Sequence, residues 1–263
     1  MPPTLEQLRA VVLPLARQEL LPRFTRVATA FKADGSVVTE ADLACQEAIS
    51  AALTARWPQI PLLGEEMEPA DQQRLLDDAV DGLWCLDPLD GTSNFTAGIP
   101  FFSVALAYIR QGEVQLGLVY DPVRDECYTA ARGQGAWLND TRLHSHATGL
   151  PLAHCVAMID FKRLSPVLAT RLVRATPFAS QRNFGSSALD WCQLAAGRGH
   201  LYLHGRQRLW DYAAGSLILA EAGGCAATLQ GEPVLQVSLQ PRSVVATLDP
   251  VLFGPWREWL AAD

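Results

Sequence analysis

The segment DPLDGTSNF, residues 87–95, places two carboxylates beside a proline and a glycine. Pro88 fixes its own φ angle and forces a turn. Asp87 and Asp90 can then point toward one centre, and the Leu89 carbonyl adds a third oxygen. Oxygen donors of this kind suit a hard cation such as Mg²⁺. A type I or II turn with a helix-capping Asp explains the same letters, so the segment predicts either a metal site or an ordinary turn.

Gly91 and Thr92 follow directly and can begin a helical turn. The first N–H groups of a helix have no partner inside the helix, and they favour an anion such as phosphate. We therefore expect one loop to offer metal ligands from its side chains and phosphate contacts from its backbone.

Other acidic residues lie at the ends of expected elements. Glu65 and Glu66 follow an apolar run and a glycine, which is typical of a solvated surface loop unless metal ions offset the two charges. Asp211 precedes an apolar helix pattern and can be its N-cap, a role compatible with metal binding. Asp42 lies three residues after Thr39, which fits a capping box without any function.

Apolar periodicity predicts two helices at the start of the chain. The pattern in residues 4–23 has helical spacing, with Thr4 as the cap. The second helix begins after its cap Thr39, and Pro58 ends it. The first of these helices is amphipathic.

The following segments predict strands. Residues 82–91 form a buried strand pattern that should stop at Asp87, because Pro88 cannot continue a ladder. Apolar runs separated by turn signals in residues 101–139 are typical of antiparallel strands. From about residue 150, short apolar strands alternate with helical stretches.

These patterns divide the chain softly into two halves. Residues 1–145 predict an α+β half that carries the GEE and DPLDGT motifs, and residues 146–263 predict an α/β half that carries the WDYAAG motif. No repeat or low-complexity linker separates the halves. A layered sandwich of helices and sheets is therefore expected.

Composition excludes several classes of protein. With 21 Lys and Arg against 28 Asp and Glu, the net charge is −7, and no basic run offers a face for nucleic acid polymers. The six cysteines lack C-x-x-C or metal-finger spacing, so reduced, buried thiols are expected. The N-terminal segment carries charges throughout and has no spanning stretch, so we expect a cytoplasmic protein without membrane contact.

In combination, the acidic motifs resemble those of the inositol monophosphatase-like family of metal-dependent phosphatases. GEE at 64–66, DPLDGTSNF at 87–95 and WDYAAGSLILAEAGG at 210–224 occur in the family's order and with similar separations, together with VTEAD at 38–42. The resemblance covers nearly the whole chain. It implies an αβαβα sandwich of the sugar-phosphatase type that hydrolyses a small phosphate ester, such as an inositol monophosphate-like polyol phosphate, with metal-activated water.

The resemblance also implies roles for individual residues. Two Mg²⁺ ions, with a third held more weakly through water, would be ligated by Glu65, Asp87, Asp90, Asp211 and the Leu89 carbonyl. The attacking water would be positioned or deprotonated by Thr92, Asp42 and Glu65. The substrate-binding residues would be Gly91, Thr92, Gly185, Ser186, His204, Asp211 and the loop residue Lys32. By its own sequence context, Lys32 is explained equally well as a solvated lysine.

The sequence departs from the family's pattern at one position. Inositol-cleaving relatives have an acidic residue seven positions before the final Asp, where this chain has His204. The histidine is either a substrate contact or a strand residue at the cleft rim. A nucleotidase for adenosine 3′,5′-bisphosphate, a histidinol-phosphatase and a regulatory or metabolite-binding protein on the same fold therefore stay open. The resemblance further predicts a homodimer and inhibition by Li⁺.

Overall fold

The computed structural model describes residues 2–25, 29–31, 37–78 and 82–262. Lys32, which the resemblance assigns to the site, lies outside the described residues. The α-helices in the described part of the chain are α1 (Leu5–Leu20), α2 (Glu40–Arg56), α3 (Pro69–Asp78), α4 (Thr92–Ala97), α5 (Pro166–Arg174), α6 (Ser187–Ala195), α7 (Leu209–Glu221) and α8 (Pro250–Ala261).

The strands carry most of the remaining regular structure. They are β1 (Thr29–Phe31), β2 (Val37–Thr39), β3 (Leu62–Gly64), β4 (Leu83–Asp90), β5 (Ser103–Arg110), β6 (Glu113–Asp121), β7 (Glu126–Ala131), β8 (Gly135–Leu138), β9 (Thr141–Leu143), β10 (Val156–Asp160), β11 (Ser180–Arg182), β12 (Leu201–Gln207), β13 (Cys225–Ala227) and β14 (Arg242–Thr247). Short 3₁₀ turns cover Leu152–His154 and Phe161–Arg163.

Side-chain caps begin the first two helices as the sequence predicted. The Thr4 side chain accepts from the Gln7 N–H at the start of α1. At the start of α2, the Asp42 carboxylate accepts from the Thr39 N–H at 2.7 Å, which completes a capping box. Both contacts satisfy N–H groups that a helix leaves unpaired, so the local sequence suffices to place the two starts.

Strands β3 to β9 form a seven-stranded sheet in chain order, antiparallel except for the parallel pair β3 and β4. The prediction that the strand stops at Asp87 was wrong, since the ladder resumes with Asp90 opposite Ser103 after a register shift. Pro88 lies within this irregularity, where its missing N–H breaks no regular ladder bond.

The second sheet has five strands in the order β11-β10-β12-β14-β13. Strand β10 runs parallel to both β11 and β12, whereas β12 and β14 are antiparallel. The carboxyl ends of β10 and β12 therefore lie side by side, with Asp160 paired to His204. In sheets of this kind, ligands bind in the crevice beyond such strand ends.

The hydrophobic clusters define five layers. Helices α1 and α2 cover one face of the seven-stranded sheet, α6 and α7 fill the space between the two sheets, and α5 and α8 cover the far face of the five-stranded sheet. This confirms the predicted αβαβα sandwich. The central cluster joins residues of both halves, so the boundary at residues 145/146 stays a prediction.

The helices and the cysteines bear on the expectations drawn from composition. In the described part of the chain, no helix combines the length and apolarity needed to cross a bilayer. All six cysteines are unpaired, and only Cys225 is not fully buried. The expectation of buried cysteines is therefore confirmed for the other five, and their reduced state stays a prediction.

Gly117 in β6 allows α7 to pack directly on the seven-stranded sheet. A Cβ at this position would lie 2.8 Å from the Ala214 backbone oxygen, too close for a normal contact. We expect Gly117→Ala to lower the free energy of unfolding by about 1–3 kcal/mol, because the added methyl overpacks a helix–sheet contact. Urea unfolding measures this. Gly254→Ala is the matched control, since nothing lies within 4 Å of that Cβ; an equal loss in the control would contradict the packing argument.

Candidate active site

Three carboxylates meet at the end of β4 and the start of α7. The ligand atoms of Asp87, Asp90 and Asp211 all lie within 4.8 Å of one another, as in a group that could hold a metal ion. Asp87 and Asp90 are buried, and Asp211 is half-buried. Strand β4 supplies two of the groups and the first turn of α7 supplies the third, so the cluster is a product of tertiary packing.

Asp211 is not the N-cap that local sequence suggested. Helix α7 begins at Leu209, and its N-cap is Arg208. The Asp211 carboxylate reaches back to accept from the Arg208 N–H at 2.7 Å, as the acidic member of a capping box does. One of its oxygens is thus held by the helix start while the carboxylate faces the other two acids.

Asp90 is held by the N-terminus of α6. Its carboxylate accepts from the Ser186 hydroxyl, from the Ala188 N–H at 2.8 Å, and from the Ser187 N–H and hydroxyl at 3.2 Å each. A carboxylate has about four lone-pair positions, so these donors engage it fully. Ser186, expected on the substrate side through its backbone, thus places its side chain on Asp90.

Thr92 connects the metal-ligand candidates to Asp42. Its hydroxyl oxygen lies 3.0 Å from the Leu89 carbonyl oxygen and 3.1 Å from Asp42 Oδ1. A hydroxyl has one proton, so it can donate to only one of these acceptors at a time. The other Asp42 oxygen accepts from the Thr39 N–H and hydroxyl. Asp42 therefore serves both its predicted capping box and a contact with the site.

Glu65 lies at the same end of the seven-stranded sheet. It follows β3, is half-buried, and its N–H donates to the Leu86 carbonyl in β4 at 3.1 Å. Its charge contributes to raising the pKa values of Asp87 and Asp211. The structure thus brings Glu65 close enough to the cluster to act on it electrostatically. Glu66 lies beside it, and its N–H donates to Gln46.

The bare cluster is electrostatically unfavourable. Burial, followed by the charges of Glu65, Asp90 and Asp211, raises the pKa of Asp87 well above its usual range. Burial, followed by Asp90 and Glu65, does the same to the pKa of Asp211. A divalent cation would stabilise the ionised carboxylates, and oxygen donors are the ligands that Mg²⁺ prefers. The residues present therefore fit a magnesium centre.

Because of this repulsion, we expect the Asp87→Asn substitution to change the thermal stability of the protein. A pKa that folding raises adds stability at acidic pH, and that stability is lost as pH rises through the folded pKa. In EDTA, Asp87→Asn should therefore raise Tm at about pH 8 by a few degrees, the shift that roughly 1 kcal/mol gives at this size. The gain should shrink toward about pH 5. Calorimetry at both pH values measures it, and a lower Tm at the higher pH would contradict the argument.

Asn94 joins the two halves of the site and was missed as a separate residue in the sequence. Its side-chain amide donates to the Phe101 carbonyl at 2.8 Å and to the Phe184 carbonyl at 2.7 Å. Gly185, with φ of 79°, packs against Asn94, where a Cβ would come within 3.1 Å. Asn94 thus fixes α4 against the loop that leads to α6. Its place in DPLDGTSNF was the available signal.

Gly91 opens the short helix α4 as its N-cap. Its φ of 96° is in the left-handed region that favours glycine. A side chain there would also approach the Phe101 carbonyl at 3.1 Å. The predicted helical turn after Asp90 is therefore confirmed, and the predicted phosphate contacts of the Gly91 and Thr92 N–H groups stay a prediction.

His204 is buried in β12 and has partners for both ring nitrogens. Nδ1 accepts from the Arg206 N–H at 3.2 Å, and Nε2 lies 3.4 Å from the Asp160 carboxylate in β10. Burial alone would raise the pKa of Asp160. The contacts with His204 and with the Lys162 N–H outweigh this effect, so the pKa is lowered. The substrate contact predicted for His204 stays a prediction, and it would have to share the imidazole with Asp160.

The αβαβα sandwich and its buried carboxylate cluster fit the class of layered phosphatases, and comparison with known proteins names the family. The model of the inositol monophosphatase family matches residues 4–260. The chain therefore belongs to the inositol monophosphatase family.

Individual relatives agree with this assignment. The chain is 38% identical to the Nus factor SuhB of Pasteurella multocida over 77% of this chain and 76% of the relative. It is 37% identical to the inositol-1-monophosphatase of Mesorhizobium japonicum over 82% of this chain and 79% of the relative. Among solved structures, the IMPase of Thermotoga maritima has a TM-score of 0.83 at 28% identity, covering 97% of this chain and 96% of that chain.

Proposed function

We propose that this chain is a Mg²⁺-dependent phosphomonoesterase that releases phosphate from a small polyol phosphate of the inositol monophosphate type. The observation that carries the proposal is the convergence of Asp87, Asp90 and Asp211 within 4.8 Å, beside the hydrogen-bonded pair of Thr92 and Asp42. Family membership supports a phosphatase. The family as such does not select the substrate.

Glu65, Asp87, Asp90, Asp211 and the Leu89 carbonyl would hold the magnesium ions. Bound there, Mg²⁺ would supply Lewis acid stabilisation of phosphoryl oxygens and a bound water of lowered pKa. Uncatalysed phosphate monoester hydrolysis requires accelerations of up to ~10²¹, whereas general base catalysis contributes only ~10²–10⁴-fold. Protein acids and bases alone are therefore insufficient, and the carboxylate cluster is where the remaining stabilisation is expected.

The chain's own groups would position and deprotonate the attacking water and bind the substrate. When the Thr92 hydroxyl donates to Asp42, its oxygen would be free to accept a proton from the attacking water. Glu65, half-buried at the same end of the sheet, provides a second carboxylate for this role. The Gly91 and Thr92 N–H groups at the start of α4 would bind phosphate oxygens. Gly185 and Ser186 would contact the alcohol part of the substrate.

A panel of substrates tests the proposal. It contains inositol 1-phosphate, glycerol 2-phosphate, fructose 1,6-bisphosphate, adenosine 3′,5′-bisphosphate and histidinol phosphate, each with and without Mg²⁺. We expect Mg²⁺-dependent release, with polyol phosphates preferred. Preference for the nucleotide or for histidinol phosphate would instead support a nucleotidase or a histidinol-phosphatase, and no release from any compound would contradict the proposal.

A second candidate function is regulatory. Relatives at 35–38% identity carry the name Nus factor SuhB, and this favours a role of that kind for the chain. The two functions separate experimentally. A catalytically inactive variant that still replaces the chain in a cell lacking it would support the regulatory role, and loss of replacement together with activity would support the enzyme.

The identity of the residue at position 204 should affect substrate preference. We expect His204→Glu to raise the activity on inositol 1-phosphate relative to the other substrates, because a carboxylate accepts hydroxyl donors. The new carboxylate would lie beside Asp160, so His204→Glu/Asp160→Asn removes the repulsion and should show the larger gain. Ratios of kcat/KM measure the effect, with Asp160→Asn as the control. Unchanged ratios would exclude a substrate role for position 204.

Three further features remain predictions for this chain. They are inhibition by Li⁺, a homodimeric state and a cytoplasmic location. A small phosphate ester as the partner is consistent with the family.

A further inference from the structure

A basic pocket lies beside the end of β12. Its volume is about 540 Å³, within the range of small-molecule sites. It is lined by three basic side chains, Lys162, Arg163 and Arg206, together with the polar residues Ser165, Gln230 and Ser243. The carboxyl ends of β10 and β12 lead directly into these basic residues, so the pocket opens where the fold expects a ligand.

The three basic side chains have no ion-pair or hydrogen-bond partner among the described residues. None of the side chains of Lys162, Arg163 and Arg206 forms an ion pair or hydrogen bond with another residue in the described ranges, although the chain as a whole carries a charge of −7. By contrast, Arg242, which lies between the lining residues Pro241 and Ser243 in the chain, is paired with Glu232 at 2.9 Å. Unpaired cations that converge on a cavity in an acidic protein favour an anionic ligand.

The fold fixes the two basic segments against each other. At Gly205 a Cβ would lie only 1.9 Å from the Arg163 backbone oxygen, so β12 and the turn at Phe161–Arg163 are in close backbone contact. Arg163 and Arg206 are therefore held on neighbouring backbones. Arginine forms paired hydrogen bonds to phosphate oxygens, and two such side chains suit a phosphate dianion.

The pocket also lies close to the carboxylate cluster. Arg206 is five residues before Asp211 in the chain, and the charge of Arg163 acts on both Asp160 and Asp211. The nearby carboxylate of Asp160 accepts from the Lys162 N–H and lies 3.4 Å from His204 Nε2. Its one negative charge offsets only part of the charge of the three basic side chains. An anion in the pocket would thus be adjacent to a phosphate at the cluster without sharing its ligands.

We propose that this pocket binds a phosphate group other than the one that is hydrolysed. The proposal rests on the proposed function for the position of the hydrolysed group, but the anion site itself does not. The second phosphate has two possible sources, a bisphosphorylated substrate or free inorganic phosphate. A bisphosphate spanning both sites would be preferred over the corresponding monophosphate.

The first experiment uses inorganic phosphate in EDTA. Without metal, the buried carboxylates repel anions, so phosphate binding reports the basic pocket alone. We expect NMR titration of the full chain to show saturable binding that Arg163→Gln/Arg206→Gln weakens by about tenfold or more, since hydrogen bonds to charged groups are strong. Arg174→Gln is the matched control, because Arg174 is exposed on α5 outside the pocket. The proposal would be overturned if the unmodified chain did not bind phosphate. It would also be overturned if the double variant bound phosphate as well as the Arg174→Gln control.

The second experiment separates the two sources. Under saturating Mg²⁺, kcat/KM is compared for fructose 1,6-bisphosphate with fructose 1-phosphate, and for adenosine 3′,5′-bisphosphate with adenosine 3′-monophosphate. If the substrate supplies the second phosphate, the double variant should lower the bisphosphate to monophosphate ratio by about tenfold. An unchanged ratio with lost phosphate binding assigns the pocket to free phosphate. Absence of all hydrolysis would contradict the proposed function, while the EDTA titration would still decide the anion site.

Discussion

Asp90→Asn should reduce Mg²⁺-dependent phosphate release by at least about 10³-fold. The carboxylate is one of the three that converge and would contribute charge to the metal centre, whose stabilisation of the transition state is worth several kcal/mol. About 4 kcal/mol corresponds to roughly 10³-fold in rate. Steady-state kinetics at several Mg²⁺ concentrations measure the loss. We expect kcat to fall even at saturating Mg²⁺, because a neutral amide oxygen is a weak ligand.

The same substitution has a structural consequence that must be separated from the chemistry. An Asn amide has one acceptor oxygen and one donor nitrogen, whereas the start of α6 presents donors from Ser186, Ser187 and Ala188. Circular dichroism and Tm in EDTA therefore accompany the kinetics. Asp140→Asn is the control, since that side chain is 96% exposed. A folded Asp90→Asn protein with wild-type release would contradict the metal-centre assignment.

Thr92→Val is expected to lower kcat by ~10²–10⁴-fold, the range typical of losing proton transfer or water positioning. Valine keeps the branched shape of threonine and removes only the hydroxyl that lies between Asp42 and the Leu89 carbonyl. Thr92→Ser retains the hydroxyl and should stay within about tenfold of the wild type. Kinetics with inositol 1-phosphate or the best substrate of the panel measure both variants.

The two kinetic constants distinguish the roles of Thr92. If the hydroxyl acts only on the attacking water, kcat falls while KM stays close to the wild-type value. If the residue mainly binds phosphate through its N–H, valine retains that group and neither constant changes. Equal kcat values for the valine and serine variants would therefore exclude the hydroxyl from the reaction.

Local sequence was sufficient for the starts of α1 and α2 and for the turn after β4. Thr4, Thr39 and Gly91 act through contacts within a few residues, and their hydrogen bonds or φ angles are set by the adjacent chain. The motif match also predicted the family and the layered fold. The end of β4 was predicted wrongly, because the register shift at Pro88 depends on its pairing with β5.

The tertiary structure decided how the acids are held. The sequence marked Asp90 as a ligand candidate but gave no sign that the start of α6, almost a hundred residues later, would supply its hydrogen bonds. Asp160 was absent from the sequence interpretation, because its pairing with His204 depends on β10 and β12 being neighbours. The same strand order brings Arg163 next to Gly205.

The sequence by itself determined the set of reactive groups and the local turns that present them. The reason is that residue types and short-range hydrogen bonds are encoded within a few residues. The family resemblance predicted that Asp211 joins Asp87 and Asp90. What only the tertiary structure decided was how these acids are held, at the starts of α6 and α7, and that a basic pocket forms. The physical reason is that these contacts depend on strand order and on helix packing between two sheets, which are properties of the whole buried core.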